Sequence, residues 1–284
     1  MKKLAFAVAL SAIFAAGQAA AVPTFSLAGG YTGAIKIKFT NWESFNSSFP
    51  SPGDVNYGIL KITSIESDDG NNTQLWNDGK DGGEITGIFR DITVASTSGT
   101  GPVNIKSSGG LLDIYINPLG SFAAAGGASQ GSSGYTDAGC ATNGSCYDGI
   151  SNVAMGGLFL SLAWASGIDA GNGAITIDGD LDGGTFPGTG DAAGFLNVTG
   201  GLYASNFDSN GLPSAFGARD MFAQNDFCVN GAVGCAFPSQ GDWQLVSEDP
   251  VRAFFIPEPG SLALVGLSLF GIAAVGRRSA RRQG

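Results

Sequence analysis

Residues 34–40 read Ala-Ile-Lys-Ile-Lys-Phe-Thr, and apolar and polar side chains alternate in them from Ile35 to Thr40. Successive side chains of an extended strand point to opposite faces. Ile35, Ile37 and Phe39 therefore share one face, and the two lysines share the other. A helical period of 3.6 residues would spread the apolar side chains around the axis. The stretch predicts a strand with one buried face and one solvent-facing face.

Similar patterns recur along the chain and are separated by clusters of Gly, Asn and Asp, which favour turns. They predict nine further strands, at residues 58–65, 85–94, 112–116, 158–164, 174–177, 195–199, 202–207, 243–246 and 251–256. About ten short strands at this spacing indicate an all-β fold, an antiparallel β-sandwich or a jelly-roll-like domain. A buried helix over residues 157–166 is the alternative for one stretch.

The composition is typical of a folded, turn-rich domain. Glycine accounts for 46 of 284 residues, and charged residues make up 13% of the chain, about half of the usual ~25%. Residues 120–145 are rich in Gly, Ala and Ser and are predicted to form a long surface loop. A linker between two domains is the alternative. We predict one β-rich extracytoplasmic domain over residues 22–255.

The charge of this central domain is strongly negative. Between residues 22 and 256 there are 8 Lys and Arg against 23 Asp and Glu, a net charge of −15. A surface of that sign repels phosphate backbones, so nucleic-acid binding is not expected. Divalent cations and neutral or cation-bridged polysaccharides are better matched partners.

Four cysteines form two local pairs, Cys140 with Cys146 and Cys228 with Cys235. An even number in an exported chain indicates disulfides, and the local pairings are the simplest of the three connectivities. A zinc site is a poor alternative because the spacing is wrong and the chain contains no histidine.

The absence of histidine also excludes serine–histidine triads and histidine general bases. We therefore predict that the protein is not an enzyme, and we expect no cofactor. A glycoside hydrolase that uses two carboxylates is one alternative. A carbohydrate-binding module is another, with Trp42, Trp76 and Tyr135 as a stacking platform, although such aromatic residues more often belong to the core.

One local motif points to calcium. Asp178, Asp180 and Asp182, followed by a glycine, match the opening of a calcium-binding loop. The match then fails, because Thr189 stands where an EF-hand loop needs a bidentate Glu. Asp191 is a conceivable extra ligand. Structural calcium and a simple series of polar turns are both compatible with the motif.

The N-terminus has the three parts of a secretory signal peptide. Lys2 and Lys3 precede an apolar segment, and small residues then end at Ala21, where cleavage is expected, with Ala19 as the alternative site. This prediction implies the Sec machinery and signal peptidase as partners. A retained N-terminal anchor is the alternative.

The C-terminal segment has the features of a second targeting signal. Residues 257–260, Pro-Glu-Pro-Gly, precede sixteen uncharged residues, 261–276, and then four arginines between Arg277 and Arg282. The apolar run is long enough to cross most of a bilayer as a helix, and the arginines keep the end of the helix cytoplasmic. An ordinary membrane anchor is the alternative interpretation.

Together, the rigid Pro-Glu-Pro, the short apolar span and the arginines resemble the PEP-CTERM sorting signal of Gram-negative, exopolysaccharide-producing bacteria. The resemblance covers only residues 256–284. It implies recognition by an exosortase, which removes the tail. The residues that carry the recognition would be Pro257, Glu258, Pro259, Gly260, Arg277 and Arg278.

The resemblance also implies a location. The chain would pass through an intermediate anchored in the inner membrane and would then reach the outer envelope, the cell surface or the extracellular matrix. There we expect a structural or adhesive role in exopolysaccharide, biofilm or floc formation, with exopolysaccharide as a partner.

Overall fold

A computed structural model describes residues 23–47, 50–120, 156–182, 188–229, 243–248 and 250–257. Several predictions concern residues outside these ranges. Among them are the signal peptide over residues 1–21, the surface loop over residues 120–145 except Gly120, the sorting helix over residues 261–276, and Cys140, Cys146 and Cys235.

Most of the described chain is β-strand. One short helix, α1 (Ala204–Phe207), and two single-turn 3-10 helices interrupt it. The strands are β1 (Gly33–Phe45), β2 (Val55–Ser67), β3 (Gln74–Asn77), β4 (Gly83–Ser98), β5 (Val103–Pro118), β6 (Gly157–Ala165), β7 (Ile177–Leu181), β8 (Thr189–Gly200), β9 (Leu212–Ser214), β10 (Gly217–Arg219), β11 (Met221–Val229), β12 (Leu245–Glu248) and β13 (Val251–Phe255).

The large sheet closes on itself. Strand β1 pairs with β2 along one edge and with β12 and β13 along the other. Around the sheet the order is β1, β2, β4, β5, β6 with β7, β8, β11, and β12 with β13, and every pairing is antiparallel. Strands β6 and β7 pair with different parts of the same two neighbours, β5 and β8, so together they fill one strand position. Strands β12 and β13 share one position between β1 and β11 in the same way. The result is a closed barrel with eight strand positions.

The predicted all-β, antiparallel fold is confirmed, but the two-sheet sandwich or jelly roll is wrong. Alternation buries one face of each strand in either architecture, so it does not distinguish them. Two local predictions also change. The strand predicted at residues 158–164 is confirmed as β6, and its helical alternative is not seen, whereas residues 202–207, predicted as a strand, form a turn and α1. The strand predicted at residues 174–177 instead begins at its last residue, as β7.

The barrel is curved by local irregularities in the strands. Register shifts occur in the β1–β2, β2–β4, β4–β5, β5–β6 and β6–β8 ladders, and such bulges increase twist and bend a sheet. Gly110 in β5 has φ +102°, and a Cβ atom there would lie 2.3 Å from the Trp164 ring. Only glycine allows this close approach of backbone and indole.

An aromatic cluster closes the end of the barrel at which β1 begins. Phe25, on the segment that precedes β1, packs edge-on against Phe159, Tyr203 and Phe255, with ring centroids 4.8, 5.3 and 6.1 Å away. The Phe25 backbone N–H also donates a hydrogen bond to the Tyr203 hydroxyl at 2.9 Å. The N-terminal segment is thereby fixed across this end, which we call the aromatic end.

We predict that Phe25→Ala destabilises the protein by about 3–5 kcal/mol, because it removes a buried ring that joins several others. Denaturant unfolding measures the change. Phe216→Ala is the matched control, since Phe216 is 44% exposed, and it should change stability by no more than about 0.5 kcal/mol. Equal effects of the two substitutions would contradict the role given to Phe25.

Candidate functional site: the barrel interior

The barrel encloses a cavity of about 150 Å³. Most of its lining is apolar and comes from the inward faces of the barrel strands, as the following residues illustrate: Phe39, Leu60, Phe89, Leu162, Leu196 and Met221. Apolar cavities with a few convergent polar groups are the usual form of small-molecule sites. The interior is therefore the candidate site.

A polar cluster lines the cavity toward its far end, where β1 ends at Phe45. Asn56 Nδ2 donates to Glu43 Oε2 at 3.0 Å, and Ser247 Oγ lies 3.2 Å from Glu43 Oε1. Ser247 Oγ also contacts Asn41 Oδ1. Asn225 Nδ2 donates to Ser247 Oγ at 3.0 Å. Residues of four strands, β1, β2, β11 and β12, thus form one hydrogen-bonded cluster, and all of them except Ser247 line the cavity.

The Glu43 carboxyl is the ionisable group of this cluster. Burial raises its pKa above the usual value, and the hydrogen bonds from Asn56, Ser247 and Asn41 oppose that shift. Burial disfavours the charged form of a carboxyl, whereas donated hydrogen bonds favour it. A carboxyl in this setting can accept hydrogen bonds when ionised and donate one when protonated.

The sequence analysis missed this cluster, although a signal was present. The alternation that begins at Ile35 continues through Phe39 to Asn41, Glu43 and Phe45, and all but Ile35 line the cavity. Asn41 and Glu43 are therefore polar residues at positions of β1 whose side chains face the barrel interior. A polar residue at a core position is an informative departure from the pattern.

A row of carboxylates crosses the outer wall of the barrel. Asp180 lies opposite Asp191, Asp191 opposite Asp226, and Asp226 opposite Glu248 on neighbouring strands. Among the residues that the structure describes, none of the four forms an ion pair with Lys or Arg. The pKa of Asp191 is raised by partial burial and by the negative charges of neighbouring aspartates. Like charges directly opposite each other destabilise a sheet.

The predicted calcium motif lies within this wall rather than in a loop. Asp178 and Asp180 belong to strand β7, and Asn104 Nδ2 donates to their carboxylates at 2.6 and 3.3 Å. Asp182 accepts a hydrogen bond from the Thr189 hydroxyl at 3.2 Å. The strand holds the first two side chains in ladder positions, and calcium binding by the motif stays a prediction. The described residues contain no group of three acidic, Cys or His side chains arranged for a metal ion.

The two tryptophans of the alternative aromatic platform lie in the core, as is more usual for such residues. Trp76 is buried in the main core, and Trp42 is buried as well, so neither presents a ring face to solvent. Tyr135 lies outside the described residues. Cys228 takes part in a disulfide, but its predicted partner Cys235 lies outside them, so the pairing remains a prediction.

The sorting tail begins directly at the barrel wall. Ile256, next to the end of β13, donates from its N–H to the Asn206 carbonyl at 2.9 Å and accepts from Asn206 Nδ2 at 3.1 Å. Pro257 follows and is exposed. Glu258, Pro259, Gly260, Arg277 and Arg278 lie outside the described residues. Within the ranges that are described, no helix is long and apolar enough to cross a membrane.

The comparisons with known proteins bear on the tail and hardly on the barrel. The family model for the PEP-CTERM protein-sorting motif matches residues 255–282. This match confirms the predicted sorting signal and marks the chain as an exported target of exosortase, anchored in the membrane before processing. A search of curated protein sequences finds no match.

One solved structure aligns with most of this chain. It is the crystal structure of the Diels Alderase AbmU from Streptomyces koyangensis, at 10% identity, with 81% of this chain and 72% of that chain covered. The TM-score is 0.25, which carries no argument about fold or activity.

We predict that Glu43→Gln reduces the loss of stability on raising the pH. The pKa of Glu43 is raised in the folded protein, so the folded state holds this proton more tightly than the unfolded state does. The parent protein should lose stability as the pH rises above the usual glutamate pKa and through the folded value. Urea unfolding at a series of pH values measures the slopes, and parallel profiles of parent and variant would contradict the prediction.

We also predict that Asp191→Asn stabilises the protein at neutral pH, because it removes a negative charge that faces Asp180 and Asp226. The gain should shrink in high salt, which screens exposed charges, and at acid pH, where Asp191 is protonated in the parent. Thermal unfolding at low and high ionic strength measures it. Asp81→Asn is the control, since it removes one exposed charge away from the row. Equal gains from both variants would assign the effect to net charge alone.

Proposed function

We propose that the protein is an exosortase-processed component of the cell surface or extracellular matrix, with a structural or adhesive and non-enzymatic role in an exopolysaccharide matrix. The observation that carries this proposal is the sorting motif at residues 255–282, which starts at the last residue of the last barrel strand. The motif gives the route by which the barrel is delivered. The matrix role is our inference from that route.

Features of the barrel support a structural role outside the cell. The large sheet is closed, so most strand backbones are paired within the molecule, and exposed edges prone to unwanted association are reduced. The outer wall carries the carboxylate row of Asp180, Asp191, Asp226 and Glu248. An acidic wall suits attachment to acidic polysaccharide through divalent cations better than direct contact with anionic surfaces.

The two alternatives have less support. A carbohydrate-binding module needs an exposed aromatic platform, and Trp42 and Trp76 are buried. A glycoside hydrolase of the usual kind needs two carboxyl groups on either side of one substrate. Among the cavity-lining residues that are described, Glu43 alone carries a carboxyl group.

The position of the motif predicts where the tail is cut. Strand β13 pairs with both β1 and β11, so the closed barrel requires residues 251–255. We predict that the exported protein loses the residues C-terminal to the Pro-Glu-Pro segment and retains Ile256. Intact mass spectrometry of the protein from its host, with and without the exosortase, measures the loss.

The matched variants separate recognition from folding. Replacing Pro257 and Pro259 with alanine should leave the full-length protein in the membrane fraction, whereas Pro213→Ala, at an exposed strand position, should be processed normally. An intact tail in both host strains would overturn exosortase processing. Processed protein that washes away from the polysaccharide fraction, with or without a calcium chelator, would overturn the matrix role while leaving the processing intact.

A further inference from the structure

We propose that the barrel interior binds a small, uncharged, apolar molecule that carries one hydroxyl group, with that hydroxyl at the cluster of Glu43, Asn41 and Asn56. The inference goes beyond the delivery and matrix role above. It rests on the size of the cavity, on its lining and on the polar cluster.

The size of the cavity limits the ligand to about one ring or a short chain. A cavity of about 150 Å³ compares with engineered apolar cavities that take up benzene. The space exists because small residues stand where larger side chains would fill it. Gly179 on β7 lies opposite Ala192 on β8, and both line the cavity, as does Ala223 on β11.

The lining selects against charged ligands. Among the described residues of the cavity wall there is no Lys or Arg, so a carboxylate or phosphate would enter without a counter-charge. Transfer of an unpaired charge from water into an apolar site is strongly unfavourable. The Glu43 carboxyl at the polar end adds repulsion to any anion whenever it is ionised. A neutral ligand is the class that this wall admits.

The polar cluster selects a hydroxyl. Glu43 Oε2 accepts a hydrogen bond from Asn56, and Glu43 Oε1 lies 3.2 Å from the Ser247 hydroxyl. A carboxyl group has further acceptor sites. A hydroxyl can donate to Glu43 and accept from a neighbouring amide, whereas a hydrocarbon of the same shape leaves these groups without a new partner. The cluster should therefore favour an alcohol or phenol over its hydrocarbon counterpart.

One wall residue provides a direct signal of occupancy. Trp164 lines the cavity, and its indole Nε1 is buried without a hydrogen-bond partner. Its ring is held between Gly110 and Gly194, whose Cβ positions would lie 2.3 and 2.8 Å from ring atoms. A ligand in the cavity should change the fluorescence of this fixed indole.

The test uses the protein as its host exports it, with three probes of similar size: 4-ethylphenol, 4-ethyltoluene and 4-ethylbenzoate. Tryptophan fluorescence and calorimetry measure binding. We expect saturable binding of 4-ethylphenol, at least about tenfold tighter than 4-ethyltoluene, and no binding of 4-ethylbenzoate. Tenfold corresponds to about 1.4 kcal/mol, the order of one net hydrogen bond.

Variants place the ligand inside the barrel. Ala192→Leu fills the cavity and should weaken 4-ethylphenol binding at least about tenfold, while Ala193→Leu, the same change on the outer face of β8, should leave it within about twofold. Glu43→Ala should reduce the preference for 4-ethylphenol over 4-ethyltoluene to about twofold or less. Circular dichroism of each variant confirms that it is folded.

Three results would overturn the proposal. They are absence of saturable binding by both neutral probes, equal binding by the Ala192 and Ala193 variants, and binding of 4-ethylbenzoate as tight as that of 4-ethylphenol. The fate of the sorting tail has no part in these measurements, so failure here and failure of exosortase processing are distinguishable.

Discussion

The structure depends on the two ladders that strand β1 makes, one with β2 and one with β12 and β13. These ladders join the first strand of the fold to the last and turn a long antiparallel meander into a closed barrel. Closure pairs the backbone N–H and C=O groups of the outermost strands with each other. It also encloses an interior that side chains fill only in part. Without the five residues of β13, part of the β1 edge would be unpaired.

The interior that results is not uniform. Aromatic rings around Phe25 close one end, so the segment that follows the predicted signal peptide cleavage site completes the core. Toward the other end, Glu43 and its amide neighbours place polar groups in an apolar space. Buried polar groups reduce stability unless they are hydrogen-bonded, and these are bonded to one another. Because of this cluster, one end of the cavity is polar and the rest is apolar. Packing of the core alone would not require this difference.

The first and last described segments of the barrel meet at the aromatic end. Phe25 packs against Phe255, and the sorting motif starts at Phe255 itself. Removal of the tail close to Ile256 is therefore compatible with an intact barrel, whereas a cut within β13 is not. The carboxylate row on the wall is a separate feature, in which acidic side chains face one another on neighbouring strands.

The alternation of apolar and polar residues defined most strands of the barrel, and the C-terminal motif defined the sorting signal. The signal peptide at the other end of the chain stays a prediction. Alternation from Ile35 to Phe39 defines a one-sided strand whatever lies opposite, and the sorting signal is a motif of consecutive residues. Closure of the barrel could not be predicted from the sequence, because it depends on which distant strands pair. The sequence analysis also did not predict β11, which is one of the barrel strands. The Asp178–Asp182 motif shows the same limit, since a strand ladder overrides a local turn pattern. The Glu43 cluster joins residues more than 200 positions apart, and only the register of four strands brings them together.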